Sequence, residues 1–265
     1  MEKRENRYSA LIEKVFFDRY VPGALEVPFA RGDFEDAARA LAIELPKNLG
    51  DAVYSFRYRT PLPESIKTTA EEENEWIIEG AGKALYRFKQ VRTNRILPRE
   101  GLLAVKVPDA TPEIIAAYSL SDEQALLAKV RYNRLVDLFL GIAAFSLQNH
   151  LRTTVQGIGQ IEIDEIYVGV DKYGRQFVVP VQAKGGTDQH GVVQTRQDIA
   201  CCALKFPNLI CRAVSAQFMS DDRIAMFELT VQDDDVKVVD EKHYRLVPAA
   251  QISCDDLTSY ATYAR

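Results

Sequence analysis

Histidine and cysteine are scarce, with three His and four Cys in 265 residues. Cys201, Cys202, Cys211 and Cys254 form no Cys-x-x-Cys pair, and His150, His190 and His243 are scattered. That pattern supports neither a zinc site nor a disulfide framework, and a reduced, cytoplasmic setting is the expectation. Long apolar runs are missing too. The longest, Leu135 to Phe145, is too short to cross a bilayer, and MEKRENRYSA lacks the apolar core of a signal peptide. No membrane partner is expected. Gly80-Ala-Gly-Lys83 lacks the eight-residue glycine-lysine phosphate loop and leads into a strand-like run instead of a helix, so it reads as a hairpin turn. No nucleophile sits in elbow-like surroundings, which leaves a hydrolase centred on His150 without support. Net charge is only −5, so any contact with nucleic acid must rest on local patches.

What is present is an ordinary globular composition, long enough for one large or two modest domains. Charge divides unevenly. Residues 1–106 carry 18 Lys/Arg against 17 Asp/Glu, and the remainder carries 15 against 21. The near-neutral segment contains a strongly basic run: Lys83, Arg87, Lys89, Arg92, Arg95 and Arg99, with no acid between 83 and 99 and with Tyr86 and Phe88 interleaved.

The most informative stretch is Gly159 to Gly186, GQIEIDEIYVGVDKYGRQFVVPVQAKGG. It reads as two strands, Ile161 to Val168 and Phe177 to Ala183, joined by turn chemistry at Asp171-Lys-Tyr-Gly174. Side chains alternate across a strand, so Glu162 and Asp164 share one face of the first strand, and Gln182 and Lys184 share one face of the second. Acids inside an apolar strand are costly without a partner. Carboxylate and amide oxygens suit Mg²⁺, and a neighbouring lysine can orient water and steady phosphate charge.

The spacing Asp164-x(17)-Gln182-x-Lys184 resembles the active-site motif of the PD-(D/E)xK nuclease superfamily, the fold of many restriction endonucleases. The chain departs from that pattern at Gln182, where an acid is usual; Glu162 or Glu165 is positioned to supply the missing charge. The resemblance covers chiefly residues 115–230. It implies Mg²⁺-dependent hydrolysis of a DNA phosphodiester, with Asp164, Gln182 and Glu162 as metal ligands and Lys184 positioning the attacking water. In the superfamily the helix before the hairpin often adds an acid. Asp137 is the best-placed candidate, with Glu123 the other. A helix also commonly follows the lysine strand and packs on the sheet. Double-stranded DNA is the implied partner. A homodimer would match a two-fold symmetric site, and a companion DNA methyltransferase would accompany a restriction enzyme. Two other readings remain: a DNA-binding regulator or inactive nuclease fold, and a repair or recombination nuclease that recognises DNA structure.

The N-terminal region reads as helices over Tyr8 to Tyr20, FEDAARALAI with Asp33 as N-cap, and LGDAVYSFRYR with Asn48 as cap, followed by the hairpin EWIIEGAGKALYRFKQVR turning at Gly80 to Gly82. That order is similar to a winged helix, in which Arg57 and Arg59 on the second short helix, with Lys83, Arg87 and Lys89, would face DNA. A linker is expected over ILPREGLLAVKVPDATPE, then a helix over EIIAAYSL. A long helix opening near Ser121 and running from Asp122 towards His150 follows, bent at Gly141. Gln148 and Arg152 precede the hairpin, and Gln194 and Arg196 lie on the helix after it, as further DNA contacts. Strands are expected at 209–214, 224–231 and 236–239. The overall expectation is an α/β (α+β) restriction-endonuclease-like core with a mixed sheet over residues 107–265, preceded by a smaller winged-helix-like DNA-recognition domain over 1–106.

Overall fold

Helical spacing of apolar residues near the N-terminus gives way to strands over residues 75–91, and helices return from Glu113 onward. The computed structural model describes residues 2–45, 49–118, 123–185 and 188–263. They fall into two compact units. The first comprises the chain up to Asn94 together with Thr153–Ile161 and Gly191–Val193, and the second comprises the rest.

The first unit contains helices α1 (Glu2–Phe17), α2 (Asp33–Leu41), α3 (Leu49–Tyr58) and α4 (Glu64–Lys67), with strands β1 (Glu26–Ala30), β2 (Glu75–Gly82) and β3 (Leu85–Val91). The strands form an antiparallel sheet in the order β1-β3-β2. Leu11, Ile12, Val15 and Phe16 of α1 are buried with Phe34, Trp76, Ile78 and Phe88. Phe16 sets its ring edge-on to Trp76 and Phe88 at 5.2 and 4.9 Å, a geometry that aligns the ring quadrupoles favourably. The expected helices and hairpin are present; β1 and α4 are additions. The Asn48 cap lies outside the described residues. Asp33 is the first residue of α2, with Gly32 at the N-cap. Its carboxylate accepts the Ala30 N–H at 2.8 Å and so fixes the turn from β1. The hairpin turns at Lys83-Ala84, with Ala84 at φ 58°, and not at Gly80 to Gly82. Gly80 serves another purpose: a Cβ there would lie 2.0 Å from the Ile158 carbonyl oxygen. Only glycine permits that close approach of backbone to backbone.

The second unit is built on an eight-stranded mixed sheet. Its elements, after β4 (Arg95–Ile96), are β5 (Ala104–Pro108), α5 (Glu113–Tyr118), α6 (Glu123–Tyr132), α7 (Leu135–Leu140), β6 (Ala143–Val155), β7 (Gly159–Val170), β8 (Gln176–Lys184), β9 (His190–Gly191), α8 (Val192–Lys205), β10 (Ile210–Cys211), β11 (Ala213–Phe218), β12 (Arg223–Gln232), β13 (Asp235–Val247) and α9 (Cys254–Tyr263). The sheet order is β5-β13-β12-β11-β8-β7-β6, with β10 also on β8. β7 and β8 are antiparallel, whereas β8 and β11 are parallel and joined through α8. Leu126, Leu127 and Val130 of α6 and Val136 and Phe139 of α7 pack with Val179, Val181, Ala183, Val214 and Ala216 on one face of the sheet. No helix among the described residues is long and apolar enough to cross a membrane.

Three expectations need correction. The helix anticipated from Asp122 to His150 is two short helices followed by a strand. Asn133 ends α6, its amide donating to the Lys129 carbonyl and Thr111 Oγ1 and accepting the Ala110 N–H. Gly141, left-handed at φ 65°, ends α7. Residues 143–155, whose composition tolerates a helix, then run extended as β6 in the sheet. Ser121 and Asp122, the expected helix start, lie outside the described residues. The expected linker is partly structured, because β5 pairs in parallel with β13 as an edge strand. The C-terminal strand extends to Val247, and α9 follows it.

Candidate active site

β7 and β8 form the anticipated hairpin. Asp171 accepts the Tyr173 and Arg175 N–H groups at 2.9 and 3.0 Å, and Gly174 takes φ 79°, as a tight turn demands. Glu165 pairs with Val181, and the same register one residue further sets Asp164 opposite Gln182. The Ala183 N–H donates to Asp164 Oδ2 at 2.8 Å, which fixes that carboxylate at the strand end. Lys184, two residues beyond Gln182 and on the same face, places Nζ 3.3 Å from Glu123 Oε1 at the start of α6.

The electrostatics match this crowding. Burial pushes the Asp164 carboxyl above the ordinary carboxylate value; Glu123 and Glu162 push the same way, while the Ala183 N–H and Lys184 oppose. Of the two acids considered ahead of the hairpin, Glu123 is the one in contact with Lys184. Asp137 instead accepts the Ala144 N–H at 2.9 Å and an Arg134 contact, closing the turn after α7. Glu165 points to the opposite face, where Arg131 Nε at 2.8 Å and Ser146 Oγ at 2.6 Å hold its fully buried carboxylate. Glu162 is exposed and engaged by His150 at 3.0 Å and Arg152 at 3.2 Å.

Gln182 is almost completely buried. Its Nε2 donates to the Glu162 carbonyl and to Asp198 Oδ2, both at 3.0 Å. Asp198 is a residue that reading along the sequence misses. It sits on α8 in an unremarkable RQDIA run, and only the return of α8 over the sheet brings it to Gln182. Burial raises its carboxyl well above the usual range, against the Gln182 hydrogen bond, with Asp164 adding to the rise. His190 is buried nearby, its Nε2 2.6 Å from Thr195 Oγ1, and burial, with Lys184 and Arg95, pushes it down to about 3.

The basic residues expected at DNA are placed less uniformly. Arg59 and Lys83 are exposed. Arg57 is half-buried, stacked at 4.9 Å on Tyr58. Arg87 is bound to Glu79 and Glu26, and Lys89 is buried against Glu26, so these two are neutralised within their own sheet. Gln148 and Arg152 are exposed on β6, Arg152 pairing with Glu162. Gln194 is half-buried on α8, and Arg196 binds Asp234 at 2.6 Å.

Among the described residues, no three His, Cys, Asp or Glu side chains converge tightly enough to hold a metal by themselves. The donor set still suits a hard cation. Mg²⁺ commonly takes one or two carboxylates and completes an octahedron with water. Asp164 and Glu123 supply two carboxylates, and the amide oxygen of Gln182 a neutral third donor. Comparison with protein-family models, curated proteins and solved structures yields no match.

Proposed function

We propose that the protein is a Mg²⁺-dependent DNA endonuclease, a sequence-specific restriction enzyme of the PD-(D/E)xK type. The observation that carries this reading is the meeting of Asp164, Gln182, Lys184 and Glu123 at the ends of two paired strands. The order of elements around them supports it: a helix bearing an acid before the hairpin, and a helix lying over the sheet after the lysine strand. The first unit is read as a winged-helix-like recognition domain, with Arg59 and Lys83 as its available cations. The enzyme would act on double-stranded DNA as a homodimer, beside a companion methyltransferase.

In this mechanism Asp164, Glu123 and the Gln182 side-chain carbonyl would hold the cation. When bound, it offsets charge developing on the scissile phosphate and acidifies a water. Lys184 is anchored by Glu123 so that its ammonium can orient the attacking water and donate to a phosphate oxygen. The Ala183 N–H restricts Asp164 to one orientation, which reduces the entropy lost when phosphate and water are aligned. The buried face around Gln182 excludes bulk water and strengthens each of these contacts.

The test is digestion of mixed phage and plasmid DNA with Mg²⁺, beside Asp164→Ala and Lys184→Ala. Discrete fragments from the parent and none from either variant support the proposal. Cutting confined to forks, flaps or junctions would replace it with a structure-specific repair nuclease. Equal cutting by all three proteins would overturn the assigned site. A second reading is favoured by one observation, the neutral amide at 182: a binding-only protein would shift DNA in a salt-dependent manner and leave it intact.

A further inference from the structure

Gln182 is the position where the chain departs from the acid expected, and the structure places a carboxylate immediately behind it. Asp198 is 2% exposed, its Oδ2 accepts from Gln182 Nε2 at 3.0 Å, and its Oδ1 has no hydrogen-bond partner among the described residues. It makes no ion pair among those residues. A buried carboxylate oxygen left in that condition is costly. Ser215, set beside Gln182 in the parallel register of β8 and β11, also keeps a buried Oγ without a partner among the described residues. The polar seam therefore continues from the strand ends to the underside of α8.

The hydrogen bonds fix more than position. Both partners of the Gln182 nitrogen, the Glu162 carbonyl and the Asp198 carboxylate, are acceptors, so the amide has one consistent orientation. With Nε2 doubly engaged, Oε1 is the atom left for a cation. We propose that Asp198 is the positioning residue of the cation site: by accepting from Nε2 beside the Glu162 carbonyl, it turns the Gln182 amide so that its oxygen serves as a ligand. The inference rests on the metal-site reading above and assigns a role to a residue that the motif does not contain.

The experiment is Mn²⁺ binding by isothermal titration calorimetry, with thermal unfolding measured in parallel, on the parent, Asp164→Ala, Asp198→Asn, Gln182→Glu and the exchange Gln182→Glu/Asp198→Asn. Asp198→Asn keeps the shape but offers a donor beside its acceptor, so it no longer fixes which way the Gln182 amide points; a purely structural role predicts unchanged Mn²⁺ affinity. The positioning role predicts a loss of about tenfold or more without loss of folding. Gln182→Glu alone sets two buried carboxylates about 3 Å apart and is expected to lower the melting temperature. The exchange restores one carboxylate and one amide in contact and is expected to bind Mn²⁺ at least as well as the parent. Parent-like binding by Asp198→Asn, or an exchange variant no better than Asp198→Asn, overturns the inference while leaving the metal site intact if Asp164→Ala still abolishes binding. A parent that binds no Mn²⁺ overturns the metal-site reading and this inference with it.

Discussion

Asp164 and Glu165 are neighbours in the chain and lie on opposite faces of β7, and their surroundings differ in kind. Glu165 is wholly buried, yet Arg131 and Ser146 reach one of its oxygens at 2.8 and 2.6 Å, and α6 and α7 seal that face with apolar side chains. Asp164 faces the side of Gln182, Lys184 and Asp198. There the cation is Lys184, already shared with Glu123, and two carboxylates sit above their ordinary range because burial outweighs their hydrogen bonds. On one face a guanidinium meets the buried carboxylate directly; on the other, two carboxylates raised by burial adjoin a lysine already shared with Glu123. In the proposed reading a divalent cation completes the second arrangement, because it has the right charge and ligand preference.

The largest expected effect breaks the second face. Asp164→Asn should abolish cleavage, by a factor on the order of a thousand in plasmid digestion rate, while raising the melting temperature without metal at neutral pH, because the variant removes a charge that burial disfavours. If the variant cleaved normally, the two faces would not differ in purpose. A comparable magnitude belongs to acid. His190 is held near 3, below its value in the unfolded chain, so the unfolded chain takes up the proton first. Stability should therefore fall as pH drops from about 6.5 towards 3, by up to about 5 kcal/mol, and His190→Gln should flatten that interval of a urea-denaturation profile against pH.

The first face is sharpened by Glu165→Ala, which strands Arg131 and Ser146. It should cost about 3 kcal/mol in urea denaturation and leave Mn²⁺ affinity unchanged. A cost under about 0.5 kcal/mol would show that this carboxylate, too, is not structural. The smallest effect concerns a half-buried acid with a full set of partners. Asp256, at the start of α9, is pulled down to about 2 by Lys106, with Ser253 adding to it. Its contribution is complete above the unfolded value of 3.8 and is lost as pH falls through about 2. Amide exchange along α9 should quicken over that interval and nowhere else.

The sequence carried the local features of the site. Alternation along IEIDEIYV and FVVPVQAK, with Asp171 and Gly174 between them, defines the hairpin, and period-two geometry then puts Asp164, Gln182 and Lys184 on one face. The mixed α/β class was legible in the same way, from strands and helices of differing period. Boundaries that depend on competition were not. Ala143 to Val155 could be helix or strand by composition, and pairing within the sheet decided it. The 95–108 stretch, with prolines at 98 and 108 and a glycine at 101, ends in an edge strand because β13 offered it an open ladder.

What the chain by itself determined is therefore everything that repeats within a few residues: the hairpin, the turn, the amphipathic helices and the identity of the strand-borne site residues. Tertiary structure alone decided which distant groups meet them. Glu123 lies 61 residues from Lys184 and Asp198 lies 16 from Gln182. Neither spacing corresponds to a local period, so no pattern along the chain could announce the contact. Only the packing of α6 and α8 around the sheet brings those carboxylates to the strand ends, because burial of their apolar faces fixes the helices there and their acids come with them.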